Sequence, residues 1–328
     1  MDGTILSGTA RRGTLKSAIS CVGVGLHGGA RVTMTLRPGA PGEGVVFRRA
    51  DLGGLDIPAR HDLVTDTRLC TALSLGVPGG GEARVGTVEH VMAALAGCGV
   101  DDAVVELDGP EVPILDGSAA PFVFLIDCAG VAHSHAPREW IEVTRPVRVE
   151  DAAAGAWAEL RPSARPGLDA ALTIEFPGTA VGRQSLSMAV TGEAFRAGLA
   201  DARTFTLAED VARLRAAGLA RGGSLANAVV VDGPLVLNPG GLRRPDEFVR
   251  HKLLDVVGDL ALAGAPLRAR FVGHRSGHAL NNRLLRALLA DASAWRLVGG
   301  EADAAGASSS DAAPASAASP APALAAAA

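Results

Sequence analysis

The stretch EFVRHKLLDVVGDL, residues 247–260, predicts a helix that runs from about residue 246 to 263. His251 and Asp255 stand four residues apart and share one face of that helix, and Asp259 continues the same stripe. The other positions are strongly apolar, and charged groups are costly to bury among them unless they pair or bind a metal. His with a carboxylate at this spacing can ligate Zn²⁺. A solvated His–Asp pair is the other interpretation, and the stretch alone leaves both open.

The segment TVEH, residues 87–90, opens a second predicted helix at 87–96, with Thr87 as its N-cap and Gly97 just beyond its end. If His90 binds a metal, Glu89 is placed to take a proton from a water molecule there, as a general base. An acidic residue that merely favours the first helical turn, beside a capping histidine, explains the same residues.

The segment RSGH, residues 275–278, lies between a predicted strand and a predicted helix, and Gly277 is expected to make the tight turn. His278 could then act as a general acid, bind an anion, or simply pack at the helix start. Because the positive end of a helix disfavours imidazolium, a charged His278 needs a carboxylate partner, and Asp259 is the candidate. In ARTF, residues 202–205, the hydroxyl of Thr204 could donate to a developing oxyanion, although this segment alone is nearly uninformative.

Other features have ordinary interpretations. The glycine-rich GVGLHGG, residues 23–29, is followed by neither Lys-Ser/Thr nor a helix, which excludes a P-loop. The cysteines form no C-x-x-C pair and are expected to be free, buried thiols in a reducing compartment. The remaining histidines receive no role: two in a predicted linker should be solvated and two lack a visible partner (His133, His135, His61 and His274).

Strands and helices alternate without a regular βαβ pattern, which predicts an α+β fold. The boundaries expected are residues 1–136 for a first α+β domain, 137–300 for a second, and 301–328 for a disordered Ala/Ser/Pro tail. A linker is expected at 129–137. The strands are expected near 31–36, 44–49, 69–75, 104–107, 141–149, 168–176, 185–190, 228–231 and 267–272, and the further helices near 193–199, 208–217 and 279–289.

Composition restricts the class of protein. The formal net charge is −4, so no basic surface invites nucleic acid. The N-terminal sequence has no apolar run of signal-peptide length, and the longest apolar stretch is interrupted by aspartates and too short to span a bilayer. We therefore expect a cytoplasmic protein with no stable membrane insertion.

Taken together, several long motifs that follow one another along the chain resemble those of the UDP-3-O-acyl-N-acetylglucosamine deacetylases of Gram-negative lipid A biosynthesis. The resemblance covers about residues 14–298 and rests on GVGLHGG (23–29), TVEHVMAAL (87–95), EVPILDGSAAPFV (111–123), ARTF (202–205), EFVRHKLLDVVGDL (247–260) and SGHALNN (276–282). It implies two layered α+β domains, each a sheet packed on helices, with the active site at their interface. Small inserts are implied near 44–75 and near 206–232, the second forming a passage for the acyl chain.

The resemblance also implies roles for individual residues. Zinc would be held by His90, His251 and Asp255, with Fe²⁺ as another metal that the set could accept. Glu89 would be the general base, and His278, oriented by Asp259, the general acid or oxyanion-stabilising group. Thr204 would polarise the amide carbonyl, Lys252 would contact the substrate, and Phe205 would lie near the sugar.

Two positions depart from the pattern of this family. Ala226 stands where an acidic residue is usual, and Arg275 where Lys is common. Neither departure touches the implied metal site, so they bear on acyl or nucleotide preference. The expected partner is the UDP-sugar substrate, and the expected state is a monomer. The alternative function is a zinc protein that binds a nucleotide-sugar without turnover.

Overall fold

The computed structural model describes residues 10–77 and 79–299. Within these residues the apolar side chains of both halves of the chain join in one continuous core that extends from Leu15 to Ala294. No helix in the described part is long and apolar enough to cross a membrane. The predicted tail at 301–328 lies outside the described residues.

The first half of the chain builds three sheets and two α-helices from the described residues. Its elements are β1 (Arg11–Leu15), β2 (Ile19–Val24), β3 (Arg31–Pro38), β4 (Val45–Arg49), β5 (Leu55–Pro58), β6 (Val64–Asp66), β7 (Ala72–Gly76), β8 (Glu82–Val85), α1 (Glu89–Gly97), β9 (Ala103–Leu107), α2 (Ala120–Ala129) and β10 (Val131–Pro137). The largest sheet has the order β2-β3-β9-β4-β5, β6-β7-β8 form a separate antiparallel sheet, and the smallest sheet is the pair β1-β10. Strands β4 and β5 complete the largest sheet, so the insert expected near 44–75 overlaps the separate sheet β6-β7-β8 only in part.

The second half repeats this layered plan. Its elements are β11 (Glu139–Val143), β12 (Val147–Asp151), β13 (Ala156–Arg161), β14 (Leu168–Phe176), β15 (Gly182–Val190), α3 (Gly192–Gly198), β16 (Phe205–Leu207), α4 (Ala208–Ala216), β17 (Val229–Asp232), β18 (Leu235–Val236), α5 (Glu247–Ala261), β19 (Leu267–His274), α6 (His278–Ala290) and β20 (Trp295–Gly299). The main sheet runs β12-β13-β19-β11-β20, with β14 and β15 attached through β19. The small sheet β16-β17-β18 and helix α4 occupy the region of the second expected insert. The α+β fold is thus confirmed, whereas the domain boundary at residue 136 stays a prediction.

Helices α1 and α5 pack directly on each other where the two halves meet. Gly258 makes this approach possible, because a Cβ atom at that position would lie 2.0 Å from the backbone oxygen of Glu89. The same helix contact holds His90 of α1 beside His251 of α5, with ring centroids 5.0 Å apart. The position of the polar residues therefore depends on the absence of a side chain at Gly258.

Gly258→Ala is expected to lower the free energy of unfolding by about 1–3 kcal/mol, the usual cost of overpacking a core. The added methyl group meets backbone, which cannot move aside like a flexible side chain. Gly76→Ala is the matched control, since its Cβ would meet nothing within 4 Å. Denaturant unfolding of both variants measures the difference, and equal stability would contradict this account of the helix contact.

Several helix predictions need correction at their ends. Helix α1 begins at Glu89, and Thr87 does not cap it: Thr87 has a φ of 56° and its hydroxyl donates to Glu111. Gly97 is the last residue of α1 and does not lie beyond it, and the ring of Phe195 occupies the space that a Cβ at this position would need. Gly277 adopts an extended conformation that any residue could take, and the left-handed φ of 52° falls on Arg275.

Other elements differ because their partners are distant in sequence. The expected linker at 129–137 contains strand β10, which pairs antiparallel with β1. His133 and His135 on it are exposed, as predicted. The strand expected at 141–149 divides into β11 and β12, and the one expected at 69–75 begins only at Ala72 because Leu69 has a φ of 69°. Helix α2 was not predicted, although proline in its first turn and Gly130 after its end are typical helix signals.

Candidate active site

Three side chains from α1 and α5 form a buried cluster between the two halves. His90 lies in the first turn of α1, and His251 and Asp255 lie one turn apart on α5. The Nε2 atoms of His251 and His90 lie 3.4 Å and 3.7 Å from the same Oδ1 atom of Asp255. One potential ligand atom from each residue lies within 4.8 Å of the other two. The cluster is buried, so the interpretation as a solvated His–Asp pair is wrong.

The hydrogen bonds and charge states of this cluster fit a metal ion. Oδ1 of Asp255 is buried and has no hydrogen-bond partner among residues 10–77 and 79–299. Nδ1 of His251 lies 3.0 Å from the carbonyl oxygen of Ala202, which fixes the tautomer that leaves a lone pair on Nε2. Burial lowers the pKa of His90 to about 3, and it also lowers the pKa of His251. Neutral imidazoles beside an ionised carboxylate are what a divalent cation requires.

Lys252 neutralises the other side of the same carboxylate. Its Nζ atom lies 3.0 Å from Oδ2 of Asp255 and 5.7 Å from the ring centroid of Phe205. Burial alone would raise the pKa of Asp255, but the adjacent imidazole of His251 and the ammonium of Lys252 outweigh it and hold that pKa well below its usual range. Asp255 is thus held ionised, with one oxygen paired and the other facing the imidazoles.

Glu89 lies next to this cluster with its carboxylate almost fully enclosed. Its Oε2 accepts the backbone N–H of Thr71 at 3.0 Å, and its Oε1 lies 3.9 Å from Nε2 of His278. Burial raises the pKa of Glu89 to about 7, despite the opposing positive charge of His278. A carboxylate with this pKa can both take up and release a proton near neutral pH.

His278 is the first residue of α6 and faces Glu89 from the opposite side. Its Nδ1 lies 2.8 Å from Oδ2 of Asp259, and its Nε2 lies 3.9 Å from Oδ2 of Asp255. Burial would lower the pKa of His278, but Asp259 outweighs burial and raises it to about 9. The conflict between an imidazolium and a helix N-terminus is therefore resolved by Asp259, the partner that the sequence indicated.

An apolar cavity of about 360 Å³ lies beside the cluster. Thr204 and Phe205 line it, and Phe205 also contacts His251 edge-on with ring centroids 6.4 Å apart. Most of its remaining wall comes from the second expected insert, through Thr206, Ala208, Val211, Leu214, Arg215, Ala220, Gly223, Ser224, Leu225, Ala228 and Val230. The cavity can therefore receive an apolar group whose attached polar part reaches the buried carboxylates.

Comparison with known proteins agrees with this geometry. The sequence model of the family described as LpxC, UDP-3-O-acyl N-acetylglycosamine deacetylase, matches residues 12–290. The chain belongs to this deacetylase family. It is 49% identical over 289 residues to the UDP-3-O-acyl-N-acetylglucosamine deacetylase of Acidithiobacillus ferrooxidans, covering 88% of this chain and 93% of that protein. It is 48% identical over 285 residues to the protein of that name from an Anaeromyxobacter species, covering 87% and 90%.

The deacetylase contains supporting residues that sequence reasoning missed. Thr71 donates its hydroxyl to Oδ1 of Asp259 at 2.6 Å, and Asn281 donates to Oδ2 at 2.8 Å. Ser276 in turn donates to Oδ1 of Asn281 at 2.7 Å. Asn281 stands three residues after His278, a helical spacing that could have indicated it, whereas nothing in the sequence around Thr71 points to a site.

The segment that carries Thr204 is fixed to α5 by a buried ion pair. Arg203 donates to Glu247 through its backbone N–H and its guanidinium, at 2.8–3.1 Å. Glu247 also accepts the backbone N–H of Arg243 at 2.7 Å. This pair holds both the Ala202 carbonyl, which orients His251, and the Thr204 side chain, and its role was not predicted.

Other predicted features of the deacetylase have structural explanations. The backbone N–H groups of His27 and Gly28 donate to the carboxylate of Glu111, so the glycine-rich loop binds a side chain of its own protein and not a phosphate. Ala226 and Arg275 are exposed. All cysteines are free, as predicted, but only Cys70 is buried, and Cys128 is exposed because it lies on the outer face of α2.

Proposed function

We propose that this deacetylase hydrolyses the N-acetyl amide of UDP-3-O-acyl-N-acetylglucosamine to acetate and UDP-3-O-acyl-glucosamine, an early step of lipid A biosynthesis. The observation that carries the proposal is that Glu89 and His278, 3.9 Å apart and both buried, lie beside the cluster of His90, His251 and Asp255. Relatives of this name are 44–49% identical to the chain over most of its length. The family model matches residues 12–290, which include the segments that build the cluster.

Zn²⁺ is the metal that we propose for His90, His251 and Asp255. Two imidazoles and one carboxylate form a typical catalytic zinc set, which leaves a coordination position open, and Fe²⁺ is a second metal that would fit. Zinc supplies Lewis acidity and makes water acidic enough to lose a proton near neutral pH.

The protein's own residues then accept and donate the protons that amide hydrolysis requires. Glu89 accepts a proton from the attacking water, which is a weak nucleophile without a base. His278, held by Asp259, donates a proton to the leaving amine, because an amine departs poorly as an anion. The hydroxyl of Thr204 donates to the oxyanion that develops on the amide oxygen.

The pH dependence of kcat/KM follows from the two raised pKa values. The rate should rise as Glu89 loses its proton near its pKa of about 7 and fall as His278 loses its proton near its pKa of about 9. A bound cation moves both limbs to lower pH, since it favours the deprotonated forms. In His278→Ala the falling limb should disappear and kcat should drop about 100-fold or more. An unchanged falling limb in that variant would assign it to another group.

The cavity and the side chains around the cluster bind the different parts of the substrate. We assign the acyl chain to the apolar cavity lined by Leu214, Leu225 and Val230, and the sugar to the neighbourhood of Phe205. Lys252 contacts the substrate from its position between Asp255 and Phe205. The exposed Ala226 and Arg275 bear on acyl and nucleotide preference.

Acetate release from UDP-3-O-acyl-N-acetylglucosamine, measured with purified protein at several acyl lengths, tests the proposal. Turnover is expected, with a dependence on acyl length because the cavity has a limited volume of about 360 Å³. Binding of the substrate without release of acetate by zinc-loaded, folded protein would support a nucleotide-sugar-binding protein instead.

We also propose that the protein acts in the cytoplasm as a monomer of two α+β domains that meet near residue 136. The continuous core across the halves and the self-contained active site support this organisation. Size-exclusion chromatography with light scattering distinguishes a monomer from a dimer.

A further inference from the structure

Thr71 makes three polar contacts at the junction of the two halves. Its backbone N–H donates to Oε2 of Glu89 at 3.0 Å, and its hydroxyl donates to Oδ1 of Asp259 at 2.6 Å. Its carbonyl oxygen accepts the backbone N–H of Val88 at 3.2 Å. The residue is 1% exposed, so water does not compete for these bonds. A single residue of the first half therefore contacts both the proposed base and the carboxylate that orients His278.

The hydroxyl of Thr71 completes the fixation of Asp259. Oδ2 of that carboxylate faces Nδ1 of His278 and accepts from Nδ2 of Asn281, both at 2.8 Å. Oδ1 receives the Thr71 hydroxyl, which has only one proton to donate. With both oxygens occupied, the carboxylate cannot rotate away from the imidazole. Without the hydroxyl, a buried carboxylate oxygen would lose this donor, and the plane of Asp259 would no longer be held from that side.

We propose that Thr71 is a positioning residue that acts on the reaction through Asp259 and so holds His278 in line with the leaving amine. This inference rests on the roles proposed above for Glu89, Asp259 and His278. It adds a contact across the junction: a residue directly before strand β7 of the first half holds Asp259 of α5, which in turn orients His278 of α6. Correct docking of the halves is thereby linked to the orientation of the proposed acid.

A merely structural bond is the competing explanation, and the chain offers a matched control for it. Thr65 and Ser74 join their hydroxyl groups at 2.8 Å within the small sheet β6-β7-β8, away from the carboxylates. Thr65→Val removes a threonine hydroxyl from strand β6, and Thr71→Val removes one from the residue directly before β7. If hydroxyl bonds only stabilise the sheet, the two variants should behave alike in catalysis.

The test measures kcat and KM for acetate release in Thr71→Val, Thr71→Ser and Thr65→Val. Thr71→Val keeps the backbone donor to Glu89 and should lower kcat by about 10–100-fold with little change of KM, the usual cost of removing a partner of a functional group. Thr71→Ser restores the hydroxyl and should recover most of the activity, and Thr65→Val should match the wild type. Thermal unfolding of each variant verifies that it folds.

The decisive comparison repeats Thr71→Val in an Asp259→Ala background. If Thr71 acts through Asp259, the second substitution should then cause almost no further loss of kcat. The same fold-loss in both backgrounds, or an unchanged kcat for Thr71→Val in the otherwise wild-type protein, would overturn the inference. A wild-type protein that releases no acetate would contradict the proposed function itself, so the two failures are distinguishable.

Discussion

Glu89→Gln is expected to lower kcat by about 10²–10⁴-fold, the range attributed to a positioned general base. Glutamine keeps the shape of the side chain and can still accept the backbone N–H of Thr71. It cannot take a proton from water. Because the substitution removes a buried group whose pKa is raised to about 7, it should not destabilise the fold at neutral pH.

The control for this prediction is Glu106→Gln, which neutralises a glutamate that pairs with Arg37 on the outer face of the first sheet. Steady-state acetate release and bound-metal content are measured for both variants. Glu106→Gln should retain wild-type turnover, and both proteins should retain metal. Turnover within about threefold of the wild type in Glu89→Gln would remove Glu89 from the role of base, since this is far below the loss expected.

His251→Ala should have the largest effect, because it removes one of the three proposed metal ligands. Loss of outer partners of metal ligands already weakens metal binding by about 10–100-fold, so loss of a ligand itself should exceed that. It also leaves Asp255 facing His90 alone across the cluster. We expect the purified variant to contain almost no zinc and to show no measurable turnover.

Metal content by elemental analysis and acetate release together test this expectation. His133→Ala serves as the control, since His133 is exposed on β10. That variant should bind zinc and turn over substrate like the wild type. Full zinc content in His251→Ala would mean that the metal is held elsewhere in the chain.

His90 and His278 carry the same imidazole group, but their surroundings in this site shift its pKa in opposite directions. Burial against a second imidazole lowers the pKa of His90 to about 3, which suits a neutral ligand. Burial would also lower the pKa of His278, but the carboxylate of Asp259 raises it to about 9, which suits a proton donor. Such divergent pKa values within one cluster are typical of acid and base assignments in active sites.

The residues on α5 could be predicted from the sequence because helical periodicity fixes them locally. His251, Asp255 and Asp259 share a face wherever the helix lies, and the apolar positions around them indicate burial. Glu89 and His90 are adjacent in the sequence, so their proximity follows from chain connectivity and not from helical periodicity. The resemblance to the family then indicated that residues of α1 and α5 contribute to one site, which helical periodicity alone could not show.

The missed features depend on contacts between distant segments. Thr71 reaches Asp259 across 188 residues of sequence, and no local pattern indicates that contact. Strand β10 resembled a linker because its pairing with β1 is set by the distant N-terminal segment. The close approach of α1 and α5 requires Gly258, but a glycine in a helix gives no sign of which backbone it faces.

We propose that the cluster of His90, His251 and Asp255 holds the metal on which turnover depends. The most direct test titrates metal-free protein with Zn²⁺ and measures acetate release and bound zinc in the same samples. We predict that activity is absent without metal, rises in proportion to bound zinc and reaches its maximum at an equimolar ratio. Full acetate release by protein that a chelator has stripped of metal would contradict the account.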